Sequence, residues 1–179
     1  KSNMSFDSIC LFFALCKCKC IVVPISENSF KNTKFYCDKA NVDYIIDLTN
    51  KHVTLIKRED LSKKHEYVNA IREKNKSGLV VFSSGSSGKP KGAVHDIDYI
   101  FEKFVKPRRK LKTLSFLLFD HLGGINTFVY VLSSGGCLVI PENKTVNKVL
   151  QTVEEFKVEL LPTSPSFLNL MLASELYQK

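Results

Sequence analysis

The run Phe82-Ser-Ser-Gly-Ser-Ser-Gly-Lys-Pro-Lys-Gly92 gathers hydroxyls, glycines and two lysines directly behind a short apolar segment, Gly78-Leu-Val-Val-Phe82. Those residue types in that order suit the holding of phosphate. Gly85, Gly88 and Gly92 let the backbone approach a ligand closely, so that successive N–H groups can form an anion-holding nest. Ser83, Ser84, Ser86 and Ser87 add hydroxyl donors, Lys89 and Lys91 add positive charge, and Pro90 stiffens the chain between the two lysines. A Gly/Ser tract by composition alone reads first as a flexible linker or a simple turn. The spacing departs from two familiar glycine loops. A Walker loop places four residues between its glycines and follows Lys with Ser or Thr, whereas Lys89 precedes Pro90; the Gly-x-Gly-x-x-Gly dinucleotide order is absent.

The elements that must position this loop follow from periodicity. Residues 78–82 form a β-branched apolar run of the kind that makes a buried strand, and a loop leaving such a strand lies at its carboxyl end, where open α/β sheets place ligands. Upstream, the pattern predicts a helix over 5–18, a strand over 20–25, a helix over 28–40, strands over 43–48 and 53–56, and a helix over 66–74. After the loop, Ile97, Ile100, Phe101, Phe104 and Val105 fall on one helical face that Pro107 terminates. A strand over 114–119, a helix over 125–132, a strand over 137–140, a helix over 146–156, a strand over 158–161 and a helix over 166–176 complete the series. Such alternation argues for parallel strands joined by crossover helices. The expected fold class is α/β, a doubly wound, largely parallel sheet. No internal repeat is visible, and the charged stretch 57–76 is the only boundary the sequence suggests, within one compact unit or two abutting lobes.

The loop resembles the phosphate loop of the adenylate-forming superfamily, which includes acyl-CoA synthetases, aryl-CoA ligases, nonribosomal peptide adenylation domains and luciferases. The usual form there is Thr-Ser-Gly-Ser/Thr-Thr-Gly-x-Pro-Lys-Gly. Ser83 to Gly92 matches it position by position, with Ser83 and Ser87 keeping the hydroxyl where threonine is commoner, and Ala93-Val-His95 continues the likeness. Phe119-Asp-His-Leu-Gly-Gly124 is similar to a segment, often Phe-His-x-Gly-Gly, that helps wall the acyl or aryl pocket; here Asp120 stands ahead of His121. Val23-Pro-Ile25 matches the close of a helix-to-strand segment, with Lys19 where the family usually has Gly, and Leu161-Pro-Thr-Ser-Pro165 resembles a turn leading into a helix beside the substrate. The likeness spans nearly the whole chain.

The resemblance implies a two-step reaction. A carboxylic acid reacts with ATP, assisted by Mg2+, to give an acyl-adenylate and pyrophosphate, and the thiol of CoA or of a carrier-protein phosphopantetheine then displaces AMP. It further implies that residues 83–88 wrap the β- and γ-phosphates, that Lys91, the lysine of the Pro-Lys-Gly ending, engages them as the catalytic residue, and that His121, Gly123 and Gly124 border the acid. Lys89 falls at a variable position, where a solvated side chain is the alternative, and His95 supports the loop at most. For His121 the alternative is a loop histidine bonded to backbone. The later glutamate, aspartate, hinge and lysine of the family have no counterpart up to Lys179, so the chain is expected to be a partial adenylation domain, 1–179, inactive alone. Lys1 in place of an initiator Met gives the same expectation.

Composition narrows the alternatives. The 179 residues carry a net charge of +8, concentrated at Lys106-Pro-Arg-Arg-Lys-Leu-Lys112. That tract follows a helix, where basic residues are commonplace, and no nucleic-acid module accompanies it, so anionic small molecules are the expected partners and nucleic acid is not. Two other classes are left open, a non-catalytic or degenerate nucleotide-binding module and, after it, a basic nucleic-acid-binding protein. No apolar run is long enough to span a bilayer. Ile9-Cys-Leu-Phe-Phe-Ala-Leu15 is followed, not preceded, by its lysines, which suits a buried helix better than a signal peptide. Six cysteines in a chain neither small nor evidently secreted point to a reducing cytoplasm. Cys16, Cys18 and Cys20 lack the Cys-x-x-Cys spacing and second ligand pair of a zinc site, and no metal ligands are assigned.

Overall fold

A computed structural model describes residues 1–49, 53–58, 65–83, 90–106 and 108–178. The chain is an α/β fold divided into two units. The first comprises Lys1–Lys103 with Phe119–Leu122, the second Phe104–Leu118 with Gly123–Lys179. The division thus falls beyond the charged stretch 57–76, which lies wholly within the first unit.

In the first unit, α1 (Phe6–Lys17) starts at a capping box in which the Ser5 hydroxyl accepts the Ser8 N–H at 3.1 Å and the Ser8 hydroxyl accepts the Ser5 N–H at 2.8 Å. It ends at Cys18, and Lys19 then adopts a left-handed conformation with φ 58°, the reason a glycine is favoured at that point. β1 (Ile21–Val22) is shorter than expected because Pro24 has no N–H to give a sheet. A 3-10 turn (Glu27–Asn32) leads to α2 (Thr33–Lys39), the antiparallel pair β2 (Tyr44–Asp47) and β3 (Thr54–Lys57), and α3 (Glu66–Glu73).

β4 (Gly78–Ser83) lies between two strands, parallel to β1 through Ile21↔Gly78 and Val22↔Leu79 and antiparallel to β5 (Lys91–Asp96). β5 runs where the sequence predicts only loop and helix. Its outer half is exposed and includes Gly92, so the alternation that marks a half-buried strand is missing. Asp96 ends β5 and caps α4 (Ile97–Glu102), its carboxylate accepting the Asp98 N–H at 3.0 Å and pairing with Lys76 at 2.6 Å. Leu79, Val80, Ile97 and Phe12 are fully buried in this unit.

The second unit has the crossover pattern expected of parallel strands. β6 (Lys112–Leu114) is followed by α5 (Leu122–Ser133), whose first residue belongs to the other unit, and by β7 (Cys137–Val139), parallel to β6. After α6 (Val146–Phe156) the chain returns to β6 at the parallel bridge Thr113↔Leu160. The strand predicted over 114–119 lies earlier, at Lys112–Leu114, sharing only Leu114 with the prediction, because the register that pairs with Cys137–Val139 starts at Lys112; the one predicted over 158–161 contracts to the single bridge at Leu160. α7 (Pro165–Ser174) begins with Ser164 accepting the Phe167 N–H at 3.2 Å and Pro165 in the first turn. Leu114, Val146, Val149 and Phe167 form the core here. Among the described residues no helix is long and apolar enough to cross a membrane.

Candidate functional site

The β4–β5 hairpin sets the frame of the candidate phosphate site. Its register pairs Ser83 directly with Lys91 and Phe82 with Gly92, so the segment 84–90 leaves and rejoins the sheet at opposed residues, about 5 Å apart. Ser84, Gly85, Ser86, Ser87, Gly88 and Lys89 lie outside the described residues. Ser83 and Lys91, as paired residues, project from the same face of the hairpin, and both are exposed. His95 shares that face but pairs with Leu79. Four residue steps separate it from Lys91, about 13 Å along the strand at the usual rise, so the two are not neighbours on the hairpin.

Phe82 anchors the loop's base. Its ring stacks on Tyr36 with centroids 4.3 Å apart and an interplanar angle of 20°, within the cluster of Ile25, Tyr36 and Cys37. On the other strand the Phe82 ring reaches over Gly92, where a Cβ would come within 3.0 Å of Cε1. Gly92 therefore has a packing role that the glycine pattern alone does not reveal: it leaves room for the ring that fixes the hairpin to the unit.

The second constellation is organised around Asp120, a residue the sequence offers only as an interruption of the pocket motif. Its carboxylate is 5% exposed. Oδ2 accepts the Ser26 N–H at 3.1 Å and Oδ1 lies 2.9 Å from His121 Nδ1. Burial pushes the Asp120 carboxyl up, but donors of the Ser26 to Ser29 turn and of His121 more than offset it and hold it below the ordinary range. Because Ser26 directly follows Val23-Pro-Ile25, this carboxylate joins two segments that the sequence singles out separately. The available signal was a carboxylate inside an apolar context, Phe119 before it and the α5 helix after.

Gly123 and Gly124 open α5. A Cβ on Gly124 would lie 1.9 Å from the Leu118 carbonyl oxygen, whereas one on Gly123 would meet only the Leu117 side chain, at 3.1 Å. Gly124 is thus required for the close backbone approach at the helix start, whatever else borders it. Four polar side-chain atoms, Ser26 Oγ, Thr113 Oγ1, Asn126 Oδ1 and Thr163 Oγ1, are buried with no hydrogen-bond partner among the described residues; Thr163 belongs to the Pro-Thr-Ser-Pro turn.

A cavity of about 580 Å3 in the first unit is lined mainly by apolar side chains of α1 and β1, including Phe12, Leu15 and Val22, with Phe119 and the Asp43–Arg72 pair also in its wall. Ser83, Lys91 and His121 do not line it. All six cysteines are free. Burial, and to a lesser degree Cys20, pushes the Cys16 thiol up to about 12, leaving it protonated at neutral pH and a poor metal ligand. Among the described residues no group of three or more His, Cys, Asp or Glu is placed to hold a metal ion.

A family model for AMP-binding enzymes matches residues 2–179. The chain belongs to the AMP-binding enzyme family, the adenylate-forming group that its loop resembles. A nonribosomal peptide synthetase, valB of Aspergillus terreus, is 28% identical over 145 residues, which is 76% of this chain and 5% of that protein. Among solved structures, the N-terminal subdomain of NpsA from Klebsiella oxytoca, in complex with 3-hydroxyanthranilyl-AMSN, matches with a TM-score of 0.70 at 20% identity, covering 98% of this chain and 49% of that chain. The amide bond synthetase McbA from Marinactinospora thermotolerans gives a TM-score of 0.60 at 16% identity, covering 95% and 40%. At these identities the structural matches define the fold, and the chain spans less than half the length of each of these proteins.

Proposed function

We propose that this chain serves ATP-dependent activation of a carboxylic acid, its loop from Ser83 to Gly92 gripping the pyrophosphate that leaves. The observation that carries the reading is the hairpin register, which sets Lys91 beside Ser83 at the base of a Ser/Gly loop in a member of the AMP-binding family. A carboxylate oxygen attacks the α-phosphorus of ATP, the bond to the bridging oxygen breaks, and the electron pair departs with pyrophosphate. Negative charge therefore builds on the leaving group. Backbone N–H groups, hydroxyls and an ammonium already in place lower that barrier because they need no reorganisation as the charge develops. Lys91 is assigned to the β- and γ-phosphate oxygens, and Lys89 to solvent or an outer contact. Magnesium enters with the nucleotide, and no step is assigned to a protein-held ion.

His121, Gly123 and Gly124 are assigned to the border of the acid pocket. A thiol then displaces AMP to leave a thioester. A nonribosomal peptide synthetase among the relatives supports a carrier-protein phosphopantetheine as that thiol, with CoA the other candidate. A cytoplasmic setting belongs to the same reading.

The test is carboxylate-dependent ATP–pyrophosphate exchange by the full-length protein. Lys91→Ala should lower it on the order of 100-fold, the loss typical of one preorganised donor to a developing anion. Exchange unchanged by that substitution would remove Lys91 from the chemistry. Presenting CoA and a phosphopantetheinylated carrier side by side then identifies the acceptor.

A further inference from the structure

The Asp120–His121 pair goes beyond pocket walling. A carboxylate can only accept hydrogen bonds, and both oxygens of Asp120 are engaged: the Ser26 N–H donates to Oδ2 and His121 Nδ1 lies on Oδ1, with the Ser29 side chain a further donor to the carboxylate. The Asp120 side chain is 6% exposed and the imidazole 56% exposed, so a buried, ionised acceptor holds a ring that faces outward. Adjacent residues alone would leave that carboxylate free to turn; the Ser26 N–H, 94 residues distant in sequence, locks it. Nδ1 must then carry the proton, which in the neutral ring leaves the lone pair on Nε2, across the ring from Asp120.

We infer that Asp120 is a positioning residue that holds His121 as the Nδ1–H tautomer, offering Nε2 as a hydrogen-bond acceptor that favours acid substrates carrying an O–H or N–H donor besides the reacting carboxyl. The substrate preference rests on the pocket role assigned to His121 above; the tautomer does not. Such a fixed acceptor discriminates because an acid without the donor leaves it unpaired on binding. The pairing follows the general pattern in which an outer carboxylate sets which imidazole nitrogen meets the ligand.

The tautomer is read by long-range 1H–15N correlation on the full-length protein at alkaline pH, with the His121 signals assigned by their loss in His121→Gln. The expected result is a predominant Nδ1–H form in the wild type and a shift toward Nε2–H in Asp120→Asn, whose amide N–H would face Nδ1. A predominant Nε2–H form in the wild type overturns the inference, and this reading stands even if the variant fails to fold. In exchange assays on paired acids with and without the donor, the wild type should favour the donor-bearing acid through KM by about fivefold, the worth of one net hydrogen bond. Asp120→Asn should erase that preference, bringing the ratio of the two KM values close to one. An equal preference in both proteins overturns the selectivity. Absence of exchange with every acid would count against the proposed function, and the spectrum would still decide the tautomer.

Discussion

At the scale of single residues, the types that handle phosphate were visible in the chain, but their partners were not. Gly92 shows the difference. In the sequence it is one of three loop glycines; in the structure its missing side chain admits the Phe82 ring, which stacks in turn on Tyr36. Gly92→Ala should therefore force that ring to move and cost about 1–3 kcal/mol, the usual range for overpacking, measured as a lower urea midpoint. Phe82→Leu should relieve part of the clash, so the double variant should lose less than the sum of the two single losses. Strict additivity would show that the ring and the glycine are not coupled. Asp120 is the sharper case, because a position that breaks the expected Phe-His-x-Gly-Gly order proves to be the buried acceptor that ties His121 to Ser26.

At the scale of elements, the helices were legible and the strand ends were not. α1, α6 and α7 fall where the sequence pattern predicts helices, and in the structure each starts at a side-chain cap, Ser5, Thr145 and Ser164, signals local to a few residues. β5 carries no such signal. It is a strand because β4 supplies its hydrogen bonds, and its exposed outer half gives no alternation to read. The start of α5 makes a similar point about Gly123 and Gly124, which look equivalent in sequence. Gly124→Ala would drive a Cβ into the Leu118 carbonyl and should cost about 3 kcal/mol or more, whereas Gly123→Ala meets a movable Leu117 side chain and should cost less than about 1 kcal/mol. Thermal melts of the two variants compare them directly; equal losses would mean that the helix start does not depend on this close approach.

At the scale of the whole molecule, carboxylates held in the folded state should set its response to acid. Burial pushes Asp47 up, but Thr49 and Lys1 more than reverse this and bring it to about 2; Asp96 is held down first by Lys76, and Asp120 by the donors around it against its burial. Each folded pKa lies below its unfolded value, so the unfolded chain binds more protons. The stabilisation is complete above about pH 4–5 and disappears as pH falls through the folded values. The urea midpoint should hold between pH 6 and pH 5 and drop toward pH 3; a flat profile would show that these carboxylates do not stabilise the fold. By itself the sequence determined the α/β class, the positions of the helices and a motif of the family's phosphate-loop form, because periodicity and a contiguous motif are encoded within short stretches. Only the tertiary structure decided that Lys91 stands opposite Ser83, that Gly92 and Gly124 are packing necessities, and that Asp120 reaches Ser26. Those facts depend on hydrogen-bond register and on approaches between residues far apart in the chain, which no local pattern specifies.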